Sequence, residues 1–67
     1  MAMLKVIEVL AESEKSWEDA AQAAVDTASK SVRGIRSIYL KNFEATVENG
    51  KIEKYRINAK VSFLLED

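Results

Sequence analysis

From Tyr55 to Leu65 the chain places Tyr55, Ile57, Ala59, Val61, Phe63 and Leu65 at every second position, with Arg56, Asn58, Lys60 and Ser62 between them. Side chains alternate across a strand, so this spacing describes a strand with one apolar and one polar face. Such a strand belongs to an antiparallel sheet that is wet on one side. The stretch before it has the same period with a break: Ile38 and Leu40 are even-numbered, whereas Phe43, Ala45 and Val47 are odd-numbered. Both sets share a face only if an extra residue intervenes, which predicts a bulge or sharp bend near Lys41-Asn42. Glu48-Asn49-Gly50-Lys51 joins the two strands. In a regular ladder a two-residue Asn-Gly turn would send the two apolar faces to opposite sides. The expected connection is therefore a three-residue loop, Glu48-Asn49-Gly50, with Gly50 left-handed, Val47 opposite Lys51 and Phe43 opposite Tyr55.

Upstream, Ser16-Trp17-Glu18-Asp19 opens a helix. Ser16 suits the N-cap, Asp19 completes a capping-box-like pair, and Glu18 and Asp19 complement the positive end of the helix dipole. Trp17, Ala20, Ala21, Ala24, Ala28 and Val32 follow helical spacing. The alanines let such a helix lie close against a sheet. Lys30 and Arg33 suit the last turn and Gly34 the left-handed C′ position, so the helix is expected over Ser16–Arg33. Leu4–Leu10 reads as a further strand, apolar on both faces: Leu4, Val6 and Leu10 on one, Ile7 and Val9 on the other. A sheet covered by one helix needs only one apolar face, so the second predicts a subunit interface. The fold class is α+β, of β-α-β-β order, with a three-stranded antiparallel sheet wrapped around one helix. The partner of the first strand is left open by pattern alone.

Sixty-seven residues suffice for a single domain, residues 1–67, which alone would be only marginally stable. The sequence holds no Cys and no His, which removes disulfides, thiolate metal sites and the usual acid–base group of neutral pH. Association is the remaining route to stability. A net charge of −1 argues against a nucleic-acid surface, and no apolar run approaches a membrane span. Met1–Ala11 alternates like a strand and lacks the features of a signal peptide. A cytoplasmic protein is expected. With no recognisable nucleophile–base pair, no catalytic residues are assigned and an enzyme is not expected.

Order and wording together resemble the dodecin family. The resembling stretches are Lys5-Val6-Ile7-Glu8-Val9, Ser16-Trp17-Glu18-Asp19-Ala20-Ala21, Ala28-Ser29-Lys30-Ser31-Val32-Arg33-Gly34-Ile35, Val47-Glu48-Asn49-Gly50-Lys51-Ile52 and Tyr55-Arg56-Ile57 through Lys60-Val61-Ser62-Phe63-Leu64-Leu65-Glu66-Asp67. The resemblance implies a hollow dodecamer of identical subunits, with helices outward and the sheet lining the interior. Typical members stack flavins (FMN, riboflavin or FAD) between tryptophans at the start of the second strand and act as stores.

By position, the ligand-binding residues implied are Ser37, Tyr39, Glu44, Arg56 and Leu64. Ser37 stands where the stacking Trp would be, Arg56 at a flavin-bonding Gln, and Glu44 and Leu64 at arginines. A serine offers no π face. Tyr39 is read as a strand tyrosine at a subunit contact, with a substitute ring as the alternative, and Arg56 either grips a phosphate or carboxylate or pairs with Glu44 on the adjacent strand. The Tyr-Arg-Ile and Val-Ser-Phe wording resembles the branch without the Trp, some of whose members are calcium-associated. Glu44, Glu48, Glu53 and Asn49 supply oxygen ligands of the kind calcium takes, in no EF-hand spacing. Two functions follow as expectations: small-molecule binding and storage, flavin being the family default, or a flavin-free structural or calcium-associated assembly. A regulatory or enzymatic α+β domain is a third reading, which would be monomeric or dimeric.

Overall fold

The computed structural model describes residues 2–65; Met1, Glu66 and Asp67 lie outside the described residues, and with them the last part of the family-like ending. In chain order come β1 (Leu4–Ser13), α1 (Trp17–Ala28), β2 (Ile35–Glu48) and β3 (Lys51–Leu64). The strands form one antiparallel sheet in the order β1-β3-β2, so β3, the strand with the cleanest alternation, is central. Ile7, Val9 and Ala11 of β1 stand opposite Val61, Ala59 and Ile57. On the other side Ile38, Leu40 and Phe43 stand opposite the same three. The pairing slips between Leu40 and Asn42, so Lys41 is the extra residue that the parity break requires.

The hairpin differs from expectation. Glu48 pairs with Lys51 and Val47 with Ile52, leaving a two-residue turn in which Asn49 (φ 51°) and Gly50 (φ 76°) are both left-handed. That is the mirror-image turn whose twist matches a hairpin. Parity is restored one step later: Thr46 pairs with Lys54, so Glu53 is bulged, and Phe43 meets Ile57 instead of Tyr55. A bulge does what the longer loop was expected to do.

Ser16 caps the helix as expected, its hydroxyl accepting from the Asp19 amide at 2.9 Å. The capping box is one-sided. The Asp19 carboxylate accepts from the Ser13 hydroxyl at 2.6 Å, and that Ser13 oxygen in turn accepts from the Lys15 amide at 2.9 Å. The helix stops at Ala28, short of Arg33. Ser29 donates its hydroxyl back to the Val25 carbonyl at 2.8 Å, and the amides of Lys30 and Ser31 bond to Thr27 and Ala28 in a tightened turn. Gly34 is left-handed (φ 69°), but it serves the entry to β2. Its carbonyl accepts from the Leu64 amide at 2.9 Å, and a side chain there would sit 3.4 Å from Leu64 Cβ.

Ala20, Ile57 and Ala59 are fully buried, with Val9, Ala11, Trp17, Ala21, Ile38 and Leu40 packed around them. Small residues on both surfaces let the helix lie directly on β3. Trp17 is a packing residue: its ring meets Tyr55 and Phe43 edge-on at 4.8 and 6.0 Å. The indole N–H donates to the Glu44 carbonyl at 2.9 Å, fastening the helix to β2.

The chain extends 51 × 20 × 13 Å, and its radius of gyration of 13.6 Å exceeds the roughly 11 Å of a compact domain this long. Its surface of 5134 Å² exceeds the approximately 4250 Å² of a self-contained 7.5 kDa protein. Much of the excess is apolar. Leu4, Val6 and Leu10 are bare on the face away from the helix, and Phe43, Val47 and Ile52 are bare beyond its reach. Among the described residues nothing covers the second apolar face of the first strand, Leu4, Val6 and Leu10.

Candidate ligand-binding face

The face of the sheet away from α1 is built by the alternate residues that the core does not use. On β3 these are Arg56, Asn58, Lys60, Ser62 and Leu64. Across β1 they meet Glu12, Leu10, Glu8, Val6 and Leu4. Across β2 they meet Glu44, Asn42, Tyr39 and Ser37, with Leu64 beyond Ser62 at the strand's end. All five residues implied by the family resemblance therefore lie on one surface.

Ser37 and Ser62 hydroxyls bond to one another across the strands. No ring stands at position 37, so the stacking role does not fit that residue. Among the described residues Tyr39 is the aromatic of this face, and it is 64% exposed. Leu64 is half-buried opposite Leu4 and offers no charge to a ligand.

Arg56 pairs with Glu44 as its position suggested, Nη1 donating to Oε1 at 3.3 Å. A closer partner was not foreseen. Glu12 Oε2 accepts from Nε at 2.8 Å and lies 2.6 Å from Nη2 in the same ion pair. The bonded Arg56 holds the Glu12 carboxyl below its ordinary value, and the two carboxylates hold the guanidinium above its own. Lys54 Nζ lies 3.9 Å from the other Glu12 oxygen, and Lys41 spans the sheet to Glu8 at 3.8 Å. Glu12 escaped sequence reasoning because its place opposite Arg56 depends on β1 pairing with β3. Asn58 also went unnoticed: its Oδ1 is buried and without a hydrogen-bond partner among the described residues. A polar residue in the middle of a strand's wet face gives no warning of that.

Glu44, Glu48, Glu53 and Asn49 do not assemble. Among the described residues no three acidic side chains converge into a metal-holding group. On the other flank, an apolar groove of about 430 Å³ runs between β1 and α1, lined by Ile7, Val9, Ala24, Ala28 and Val32. No described helix is long and apolar enough to cross a membrane.

A β-α-β-β chain with a helix sealing one face of a three-stranded antiparallel sheet, and polar side chains arrayed on the other, defines a two-layer α+β domain with one open sheet face. The family model described as Dodecin matches residues 3–66. The chain belongs to the dodecin family. It is 38% identical over 63 residues to the calcium dodecin of Mycobacterium tuberculosis, covering 94% of this chain and 89% of that one. The crystal structure of the calcium-chelating immunodominant antigen calcium dodecin from that organism, with a novel calcium-binding site, is 40% identical. It superposes with a TM-score of 0.83 over 96% of this chain and 91% of its own. A mutant dodecin of Thermus thermophilus is 28% identical and superposes with a TM-score of 0.94 over 100% of both chains.

Proposed function

We propose that the chain, acting as one domain, is a non-catalytic subunit of a hollow cytoplasmic homododecamer that binds and stores a small molecule on the open face of its sheet. One observation carries the reading. Ser37, Tyr39, Glu44, Arg56 and Leu64 share that face, on a chain whose surface of 5134 Å² is too large and too apolar for solitary life. Flavin is the family default, and Tyr39 is the ring this chain would offer it. The test is the mass of the native particle by light scattering together with its absorbance spectrum and a riboflavin and FMN quenching titration. A particle near twelve subunits is expected, and a monomer or dimer refutes the shell. Absence of quenching at micromolar protein removes flavin as the stored molecule.

A second reading is a flavin-free, calcium-associated shell. It is favoured by the serine at position 37 and by the resemblance at 38% identity to a calcium dodecin. Calcium takes six to eight oxygen ligands, and no such group converges within one chain's described residues, so the ion would lie between subunits. Metal analysis after gel filtration, with and without chelator, separates the two readings.

A further inference from the structure

Arg56 is held by its own chain along both edges of its guanidinium, and the two holds are unequal. Glu12 Oε2 accepts from Nε at 2.8 Å and lies 2.6 Å from Nη2, whereas Glu44 accepts from Nη1 at 3.3 Å. Charge-assisted bonds of this kind are strongest at about 2.7–2.9 Å, so Glu12 orients the fork and Glu44 merely covers its end. Exposure agrees: the Glu44 side chain is 60% exposed and that of Glu12 37%. Lys54, 3.9 Å from Glu12, brings the group of Glu12, Glu44, Arg56 and Lys54 to formal neutrality. If Glu44 swings out, the remaining three carry one net positive charge. Two residues along the same face of β3, Asn58 Oδ1 is buried and has no hydrogen-bond partner among the described residues. A buried acceptor in that condition is unfavourable and calls for a donor.

We propose that Arg56 and Asn58 form a masked oxyanion site. Glu44 covers the Nη1 edge of Arg56 until a phosphate or carboxylate group of a small molecule displaces it. The Asn58 side chain then turns outward, and its Oδ1, buried until that point, accepts an N–H or O–H from the same molecule. The ligand class is an acidic small molecule with a neighbouring hydrogen-bond donor. The planar fork of arginine suits such a group better than a lysine would. Glu12 is a positioning residue, holding the fork flat without touching the ligand. The inference rests on the open face being the ligand-bearing surface.

The experiment is calorimetric titration of the assembled protein at pH 7 and low salt with inorganic pyrophosphate, and in parallel fluorescence titration with FMN and riboflavin. Light scattering verifies the particle for each variant. Removing the competing carboxylate in Glu44→Gln is expected to tighten pyrophosphate by about tenfold, the worth of one charge-assisted bond. Arg56→Gln is expected to abolish pyrophosphate binding. Arg56→Lys, which keeps the charge and is the fallback if Arg56→Gln fails to assemble, is expected to weaken it.

FMN should gain over riboflavin in Glu44→Gln, because the two share a ring and differ by the phosphate. Pyrophosphate binding that ignores Arg56, or that does not tighten in Glu44→Gln, overturns the proposal. If pyrophosphate follows the pattern while neither flavin binds, the oxyanion site stands and flavin falls. If both flavins bind equally in every variant, the binding face stands and the oxyanion site falls.

Discussion

Trp17 joins the helix to the strand it otherwise touches least, and its replacement should separate two contributions. Trp17→Phe keeps an aromatic ring against Tyr55 and Phe43 but removes the 2.9 Å bond to the Glu44 carbonyl. One lost hydrogen bond of this kind costs about 1 kcal/mol. Trp17→Ala also removes the ring contacts. Large aromatic to alanine changes in cores cost about 3–5 kcal/mol, and the half-buried state of Trp17 places it near 3. A chain of 67 residues has a stability of roughly 3–10 kcal/mol by the usual per-residue range, so the alanine variant loses a third or more of it. In a domain this small each kcal/mol moves Tm by about 4–8 °C. Thermal unfolding followed by far-ultraviolet circular dichroism is the assay, at one protein concentration because association makes Tm concentration-dependent. The expected order is wild type above Trp17→Phe by about 4–8 °C, with Trp17→Ala lower by a further 10 °C or so. Equal losses in the two variants would refute the ring-packing part, and an unchanged Tm in Trp17→Phe would refute the hydrogen bond.

Ser37→Trp should raise flavin affinity by supplying a ring where the family stacks one; an unchanged quenching titration would place the obstruction at Glu44, Arg56 or Leu64. The Glu12 carboxyl is lowered in the fold, first by its bond from Arg56. Its contribution to stability is therefore complete above the ordinary carboxylate range and disappears as pH falls through the lowered value. Glu12→Gln should accordingly lose less stability than wild type between pH 7 and pH 3, as read by denaturant midpoints across that range. Gly34→Ala and Gly50→Ala both force a side chain into left-handed backbone (φ 69° and 76°), at about 1 kcal/mol each. Gly34→Ala should be the worse in thermal unfolding, because its new Cβ meets Leu64 at 3.4 Å whereas that of Gly50 meets nothing within 4 Å.

Much of this fold is written in local pattern. The alternation of β3, the parity break that locates Lys41 and the Ser16 cap are each decided by neighbours in sequence. The misplaced features involve a competition that local pattern leaves undecided. Gly34 is left-handed in either case, so its presence cannot say whether it ends a helix or begins a strand; Ser29, turning its hydroxyl to Val25, decides that. Likewise a three-residue loop and a two-residue turn with a bulge at Glu53 give the same face to Phe43, Ala45 and Val47. The two left-handed residues Asn49 and Gly50 favour the tighter turn. The candidate site was half legible. Glu44 and Arg56 are neighbours across a hairpin, but Glu12 reaches Arg56 from 44 positions away, and only the strand order brings it there.

That strand order also sets a timetable. β1 leaves the ribosome first, yet its partner β3 ends at Leu64, opposite Leu4. At about 5–20 residues added per second, β1 waits several seconds before its ladder can close. The β2–β3 hairpin, once released, forms in about 1–10 μs, so β1 docks onto the edge of a finished hairpin. A neighbouring nascent chain carries an identical strand with the same bare Leu4, Val6 and Leu10. Polysome crowding thus pits correct closure against strand exchange, and slowing translation between Ser13 and Lys51 would lengthen the interval in which the exchange can win.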